Sequence, residues 1–231
     1  MEYIPQMSYS TNPLFLLFTL VLLGCAATPT RAMAPYISCQ EDSARLQARS
    51  RELQEIEIAD QADRVNFQTM NPEQMMEMSR WDEVRRKRVG EIFGEGCFSK
   101  AQDFSAAAMV FQHGNIPEHF FQTFLWAKRA VELGDAKRKR LMALGIDRYL
   151  VNIGHKQLFG SQANKSHSEI CYCMQQVEKS FPDTLRKDYA EKTLTESYEF
   201  IKELNQGKSC PNSECKEVLK PSPKGTVPGF W

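Results

Sequence analysis

The sequence predicts an all-α fold, a compact antiparallel helical domain with one repeat-like helical hairpin. Three observations predict it. Apolar residues recur three and four apart through much of the stretch from Glu41 to Gly207, the spacing of one buried helix face. Start and stop residues punctuate that pattern, with Asn71-Pro72, Pro117 and Asp183 as starts and Gly94, Gly114, Gly134 and Gly207 as stops. No stretch alternates apolar and polar residues in the manner of a half-buried strand.

A first helix runs from about Glu41 to Val65. Asn71 caps a second, with Pro72 at the first helical position, where its missing N–H is no loss; Gly94 and Gly96 close it. Asp103 caps a third helix that stops at Gly114. Pro117 starts a fourth, rich in aromatic residues and closed by Gly134. Asp135 caps a fifth, which runs to about Ile153. One last long helix follows Phe181-Pro182-Asp183 and ends near Gly207. Short connections between such helices favour antiparallel neighbours. The expected organisation is a signal segment over residues 1–27, a helical domain over 36–207, and a Cys- and Pro-containing tail over 208–231, mobile apart from its cysteines.

With 29 Lys and Arg against 29 Asp and Glu, the chain has no net charge, so no global field draws it to nucleic acid. No nucleic-acid partner is expected. The run from Leu14 to Ala27 has the length of a secretory h-region and falls short of the roughly 18 residues of a membrane span. Leu22-Leu23-Gly24-Cys25 has the form of a lipobox, which would lipidate Cys25 and anchor the chain to a membrane; cleavage after Ala27 or Ala32 competes with it. The segment before Leu14 holds Glu2 and neither Lys nor Arg, unlike an ordinary signal. The expected location is exported: periplasmic, outer-membrane lipoprotein or secreted.

Six cysteines remain, Cys39, Cys97, Cys171, Cys173, Cys210 and Cys215. In an oxidising compartment they make up to three disulfides, with fifteen pairings open. Cys171 and Cys173 stand one residue apart and are expected to reach two different partners. A metal site from His167, Cys171, Cys173 and the Cys210/Cys215 pair competes, although only the latter spacer falls in the range of a zinc knuckle. Disulfides are the expectation, with no metal and no cofactor.

Charges on the core-facing stripes are the candidates for chemistry. On the fifth helix Asp147 lies beside Ala143, Leu144, Leu150 and Val151, and Arg148 neighbours Leu141 and Leu144. Asp82 falls near Met75, Met78, Val89 and Phe93, and Asp60 and Arg64 lie in line with Leu53 and Ile56. Buried charges cost several kcal/mol unless paired, so each needs a partner or a wet cleft. One reading is a set of internal ion pairs. The other is a polar pocket, with His113 and Asp147 as acid and base and Arg64 or Arg148 holding an anionic group. His113, at the end of the third helix, also fits a cap. The basic clusters Arg85–Arg88 and Lys137–Arg140 read as solvated faces, and Met75, Met76 and Met78 as core filler. No phosphate loop, nucleophile elbow or metalloprotease helix is present.

The residues Asp60, Gln61 and Arg64, then Gln112 and His113, then Asp147 and Arg148 with Gly154, Gln157, Phe159, Gly160, Ser161 and Gln162 together resemble an uncharacterised, mainly bacterial domain-of-unknown-function family. The similarity covers roughly residues 55 to 165. It brings no activity, and implies that the three polar segments meet in space. The family's loop more often has Tyr and Thr where this chain has Phe159 and Ser161, which puts a role for a phenolic hydroxyl in doubt. Asp103 to Leu150 is also similar to Sel1-type and tetratricopeptide helical pairs, with one unit legible where a solenoid needs about three.

Two functions are expected from this pattern. One is an exported helical module that binds a protein or peptide partner through the aromatic fourth helix, Phe120, Phe121, Phe124 and Trp126. The other is an exported hydrolase-like enzyme with catalytic His113 and Asp147, and binding residues Asp60, Gln61, Arg64, Gln112, Arg148, Gln157 and Gln162.

Overall fold

The computed structural model describes residues 38–165, 170–210 and 213–231; the signal segment, Cys25 and His167 lie outside them. Among the described residues are seven α-helices: α1 (Ser43–Ala62), α2 (Pro72–Gly94), α3 (Ala101–Phe111), α4 (Pro117–Glu132), α5 (Lys139–Asn152), α6 (Asp183–Ala190) and α7 (Leu194–Leu204). An antiparallel pair, β1 (Ala163–Asn164) with β2 (Cys173–Met174), is the one sheet there. No helix among the described residues is long and apolar enough to cross a membrane.

Local chemistry sets the helix starts. The Asp42 side chain accepts from Arg45 N at 3.0 Å and opens α1. Asn71 and Gln74 form a reciprocal capping box at α2, each satisfying the other's backbone N–H at 2.9 Å. Two expected caps differ. Asp103 lies inside the first turn of α3, where one carboxylate oxygen takes the N–H groups of Ser99 and Lys100. Asp135 leads into a short 3-10 turn, and its carboxylate accepts from Ser105 Oγ. The expected last long helix is two helices. Glu191 at φ 65° reverses the chain, and Thr193 with Glu196 caps α7 by a second capping box.

Helix α4 packs between α3 and α5, and α1 packs on α3. The run Ala106–Ala108 is fully buried and lets neighbouring helices come close to α3. Gly145 does the same for α5. A Cβ there would stand 3.0 Å from Phe124 N and 3.1 Å from Phe120 O, so α5 rides directly on the backbone of α4.

The aromatic face of α4 supplies core rather than binding surface. Phe120, Phe124 and Trp126 are buried, and Phe121 packs on Tyr149 and Phe124. Three of the four aromatic side chains expected to meet a partner are therefore packed in the core, and Phe121 is half-buried. Met75 and Met76 are exposed rather than core filler.

Three disulfides close the fold: Cys39–Cys97, Cys171–Cys210 and Cys173–Cys215. Neighbouring Cys171 and Cys173 reach different partners, and the oxidised sulfurs are not thiolate ligands, which removes the metal reading. Such pairs are the chemistry of an oxidising environment. The tail is not a mobile appendage. Leu219 and Val227 are buried, and Trp231 Nε1 donates to Ser222 O at 2.8 Å. Phe230 packs against Phe159 and Tyr189.

Gly145→Ala is expected to destabilise the fold by about 1–3 kcal/mol through overpacking, although Ala is the better helix former by about 1 kcal/mol. A lower urea midpoint with unchanged slope would show this; a raised midpoint would mean that α4 and α5 part freely.

Candidate functional site

Asp147 and Arg148, adjacent on α5, have different fates. Asp147 is fully buried. Its Oδ1 accepts from Leu158 N at 2.8 Å and Phe159 N at 3.0 Å. Its Oδ2 accepts from Ser161 N at 2.9 Å and Ser161 Oγ at 2.8 Å. Burial pushes the carboxyl above its usual range, against the pull of these four donors. Gln157, also buried, completes the loop: its Nε2 donates to Gln162 O and Gln175 O, and its Oε1 accepts from Gln162 N at 2.8 Å. Both side chains hold residues 157–162 in place. The expected His113–Asp147 acid/base pair is thus corrected, because every donor on Asp147 comes from the loop.

The carboxylate that faces His113 is Asp60. Nε2 of His113 stands 3.6 Å from Asp60 Oδ2, which also accepts from Gln61 Nε2 at 2.8 Å. Arg64 joins α1 to α2, with Nη1 donating to Asp60 O and 3.1 Å from Asp60 Oδ1, and Nη2 2.6 Å from Asp82 Oδ2. Arg85 meets Asp63 and stands 3.6 Å from Asp82.

Two more guanidinium groups converge on the C-terminus of α3, where carbonyls lack helical partners. Arg86 donates to His113 O at 2.9 Å, and Arg148 donates to Gln112 O at 2.8 Å. Arg148 also lies over the Phe120 ring and 3.4 Å from Gln162 Oε1. The three polar segments therefore meet, with Gln112 contributing its carbonyl while its side chain turns to Met109. Asp82, Arg85 and Arg86 belong to the cluster too. The reading of Arg85–Arg88 as a solvated face fails for Arg86, which is buried. Its signal was its position four residues after Asp82 and three before Val89, on the core stripe.

Among the described residues, four buried atoms of this cluster have no hydrogen bond: Asp60 Oδ1, Asp82 Oδ1, Arg85 Nη1 and His113 Nε2. Two are acceptors and one is a donor; the imidazole nitrogen takes either role by tautomer. Native interiors leave few such atoms, and a functional site is one cause. His113 keeps 26% of its side chain exposed while Nε2 is buried, so solvent reaches the ring on another edge.

Burial pushes the Asp60 carboxyl up to about 6, against the pull of Arg64. Burial first, then the fields of Arg64, Arg148 and Arg86, pushes His113 down to about 3. At neutral pH the pair is a carboxylate beside a neutral imidazole. Comparison of the chain with protein-family models, curated proteins and solved structures returns no match.

Asp147→Ala strands three N–H groups, the two of Leu158 and Phe159 buried, at about 1–3 kcal/mol for each buried one, so a loss of at least about 2 kcal/mol is expected in urea denaturation; a loss under about 1 kcal/mol would contradict the lock. The Asp60–His113 pair also has a pH signature. A raised Asp60 stabilises the fold below its unfolded pKa, and that stability is lost as pH rises through about 6. A depressed His113 stabilises it above its unfolded pKa, and that stability is lost as pH falls toward about 3. Between pH about 4 and 6 the two contributions oppose each other, because the pair holds about one proton in both folded and unfolded states. Asp60→Asn is expected to make stability fall relative to the parent chain as pH drops from about 6 to 4, by up to about 1.4 kcal/mol per unit. His113→Gln is expected to make it rise. Parallel profiles for all three proteins would contradict the assignment.

Proposed function

We propose that this chain is an exported helical module that binds a peptide at the polar cluster around Asp60 and His113. The observation that carries the reading is that His113 keeps 26% of its side chain exposed beside the ion-paired Asp60, Arg64, Asp82 and Arg85. A neutral imidazole donates to or accepts from a peptide amide. Exposed apolar side chains on α1 and α2 and between them, Ile58, Val65, Phe67 and Trp81, offer contact surface on the elements that build the cluster. Export rests on the apolar run before Ala27 together with three disulfides. Lipid anchoring at Cys25 belongs to the same proposal.

One observation favours a second reading, a hydrolase-like enzyme. Asp60 Oδ2 stands 3.6 Å from His113 Nε2, near the contact by which a carboxylate orients an imidazole, although burial leaves that imidazole a weak base. In that reading Asp60 takes the role first given to Asp147.

Selection of a random peptide display library on the mature domain tests both. The module reading expects enriched peptides that bind the parent domain and bind His113→Gln about tenfold more weakly, the equivalent of one lost hydrogen bond. Peptides that bind Asp60→Asn and His113→Gln as well as the parent would remove the cluster from recognition. Cleavage of enriched peptides by the parent but not by His113→Gln would replace the module with the enzyme.

A further inference from the structure

A separate cleft opens where the 157–162 loop meets the α6–α7 turn. Its cavity volume is about 80 Å³, room for more than one water and for a small organic molecule's first few atoms. Leu144 of α5 and Phe200 of α7 give it apolar surface above the buried Met174 and Ile201, and Arg140, Lys192 and Ser197 add polar groups.

The charges around this cleft are unevenly matched. Asp188 and Glu196 are already held by Lys139 at 2.6 Å and Lys187 at 2.7 Å. Arg140 meets only the well-exposed Glu191, at 3.9 Å, an ion pair of little worth in water. Lys192 Nζ lies 4.1 Å from the centroid of Phe200, and no carboxylate among the described residues pairs with it. Glu191 is the one non-glycine residue among those described with a positive φ, 65°. That unfavourable conformation makes the turn that carries Lys192 to the cleft. The result is two weakly paired cations beside a short apolar surface.

We propose that this cleft binds a small organic carboxylate with a short aliphatic tail. The carboxylate displaces Glu191 from Arg140 and pairs with Arg140 and Lys192, while the tail lies against Leu144 and Phe200. The cleft lies outside the Asp60 cluster, and the proposal does not rest on peptide recognition there.

Butyrate is the probe, with butyramide as its neutral counterpart. Each is titrated into the disulfide-bonded domain while amide chemical shifts are followed by heteronuclear NMR. Butyrate is expected to give saturable shifts at Ser161, Ala163, Lys192 and Ser197, butyramide none that saturate. In Arg140→Glu/Lys192→Glu, whose changed side chains are at the rim, butyrate binding is expected to weaken by at least about tenfold, with the remaining spectrum preserved. Added sodium chloride is expected to weaken butyrate binding to the parent domain. Shifts that stay linear in butyrate, equal saturation by butyramide, or undiminished binding to the double variant would each overturn the site.

Discussion

The fold depends on a fully buried carboxylate. Asp147 gathers three backbone N–H groups and one hydroxyl from the loop after α5, and so fixes the point where the chain leaves the helical layers. The C-terminal third of the chain builds on that loop. Arg186, buried on α6, donates to Leu158 O at 2.9 Å and Glu178 O at 2.6 Å. Phe159 carries the rings of Phe181 and Phe230. Without the carboxylate, three amides, two of them buried, would lack partners, and α6 and the C-terminal segment would lose their seat.

The neighbouring residue turns that rigidity toward the polar cluster. Arg148 meets the end of α3 through Gln112 O and the loop through Gln162, so the position of the loop is read out at the carbonyl next to His113. Arg86 fixes the other carbonyl from α2. The cluster is thus held by three bonds to backbone, from Arg148, Arg86 and Arg64, which do not depend on side-chain rotamers of the partner. Within that frame Asp60, Asp82, Arg64 and Arg85 are ion-paired, and the His113 ring stays partly exposed.

Much of this was legible in the residues. Asn71-Pro72 and the glycine stops mark helix ends because capping is local chemistry. Asp147, Asp60 and Arg64 stand out because charges on a core stripe need partners. The partner of Asp147 was not legible: its donors are backbone groups, which no side-chain pattern announces, so His113 was paired with the wrong carboxylate. The α6–α7 break had a signal in Thr193-x-x-Glu196, masked by apolar spacing that runs on across it. Arg86 was hidden in a run of four basic residues, where composition suggested solvent and only the helical register pointed inward. The aromatic residues of α4 carry no mark that separates core from binding face, and the Pro-rich tail none that reveals Phe230 and Trp231 as packing groups.

A crystal structure of the mature domain at atomic resolution, taken near neutral pH, tests the recognition role of the cluster most directly. Ordered density, water or ligand, is expected within hydrogen-bond distance of Asp60 Oδ1, Asp82 Oδ1 and His113 Nε2. A dry cluster in which those same atoms bond directly to one another would contradict that role, and would make the cluster a structural lock like the one at Asp147.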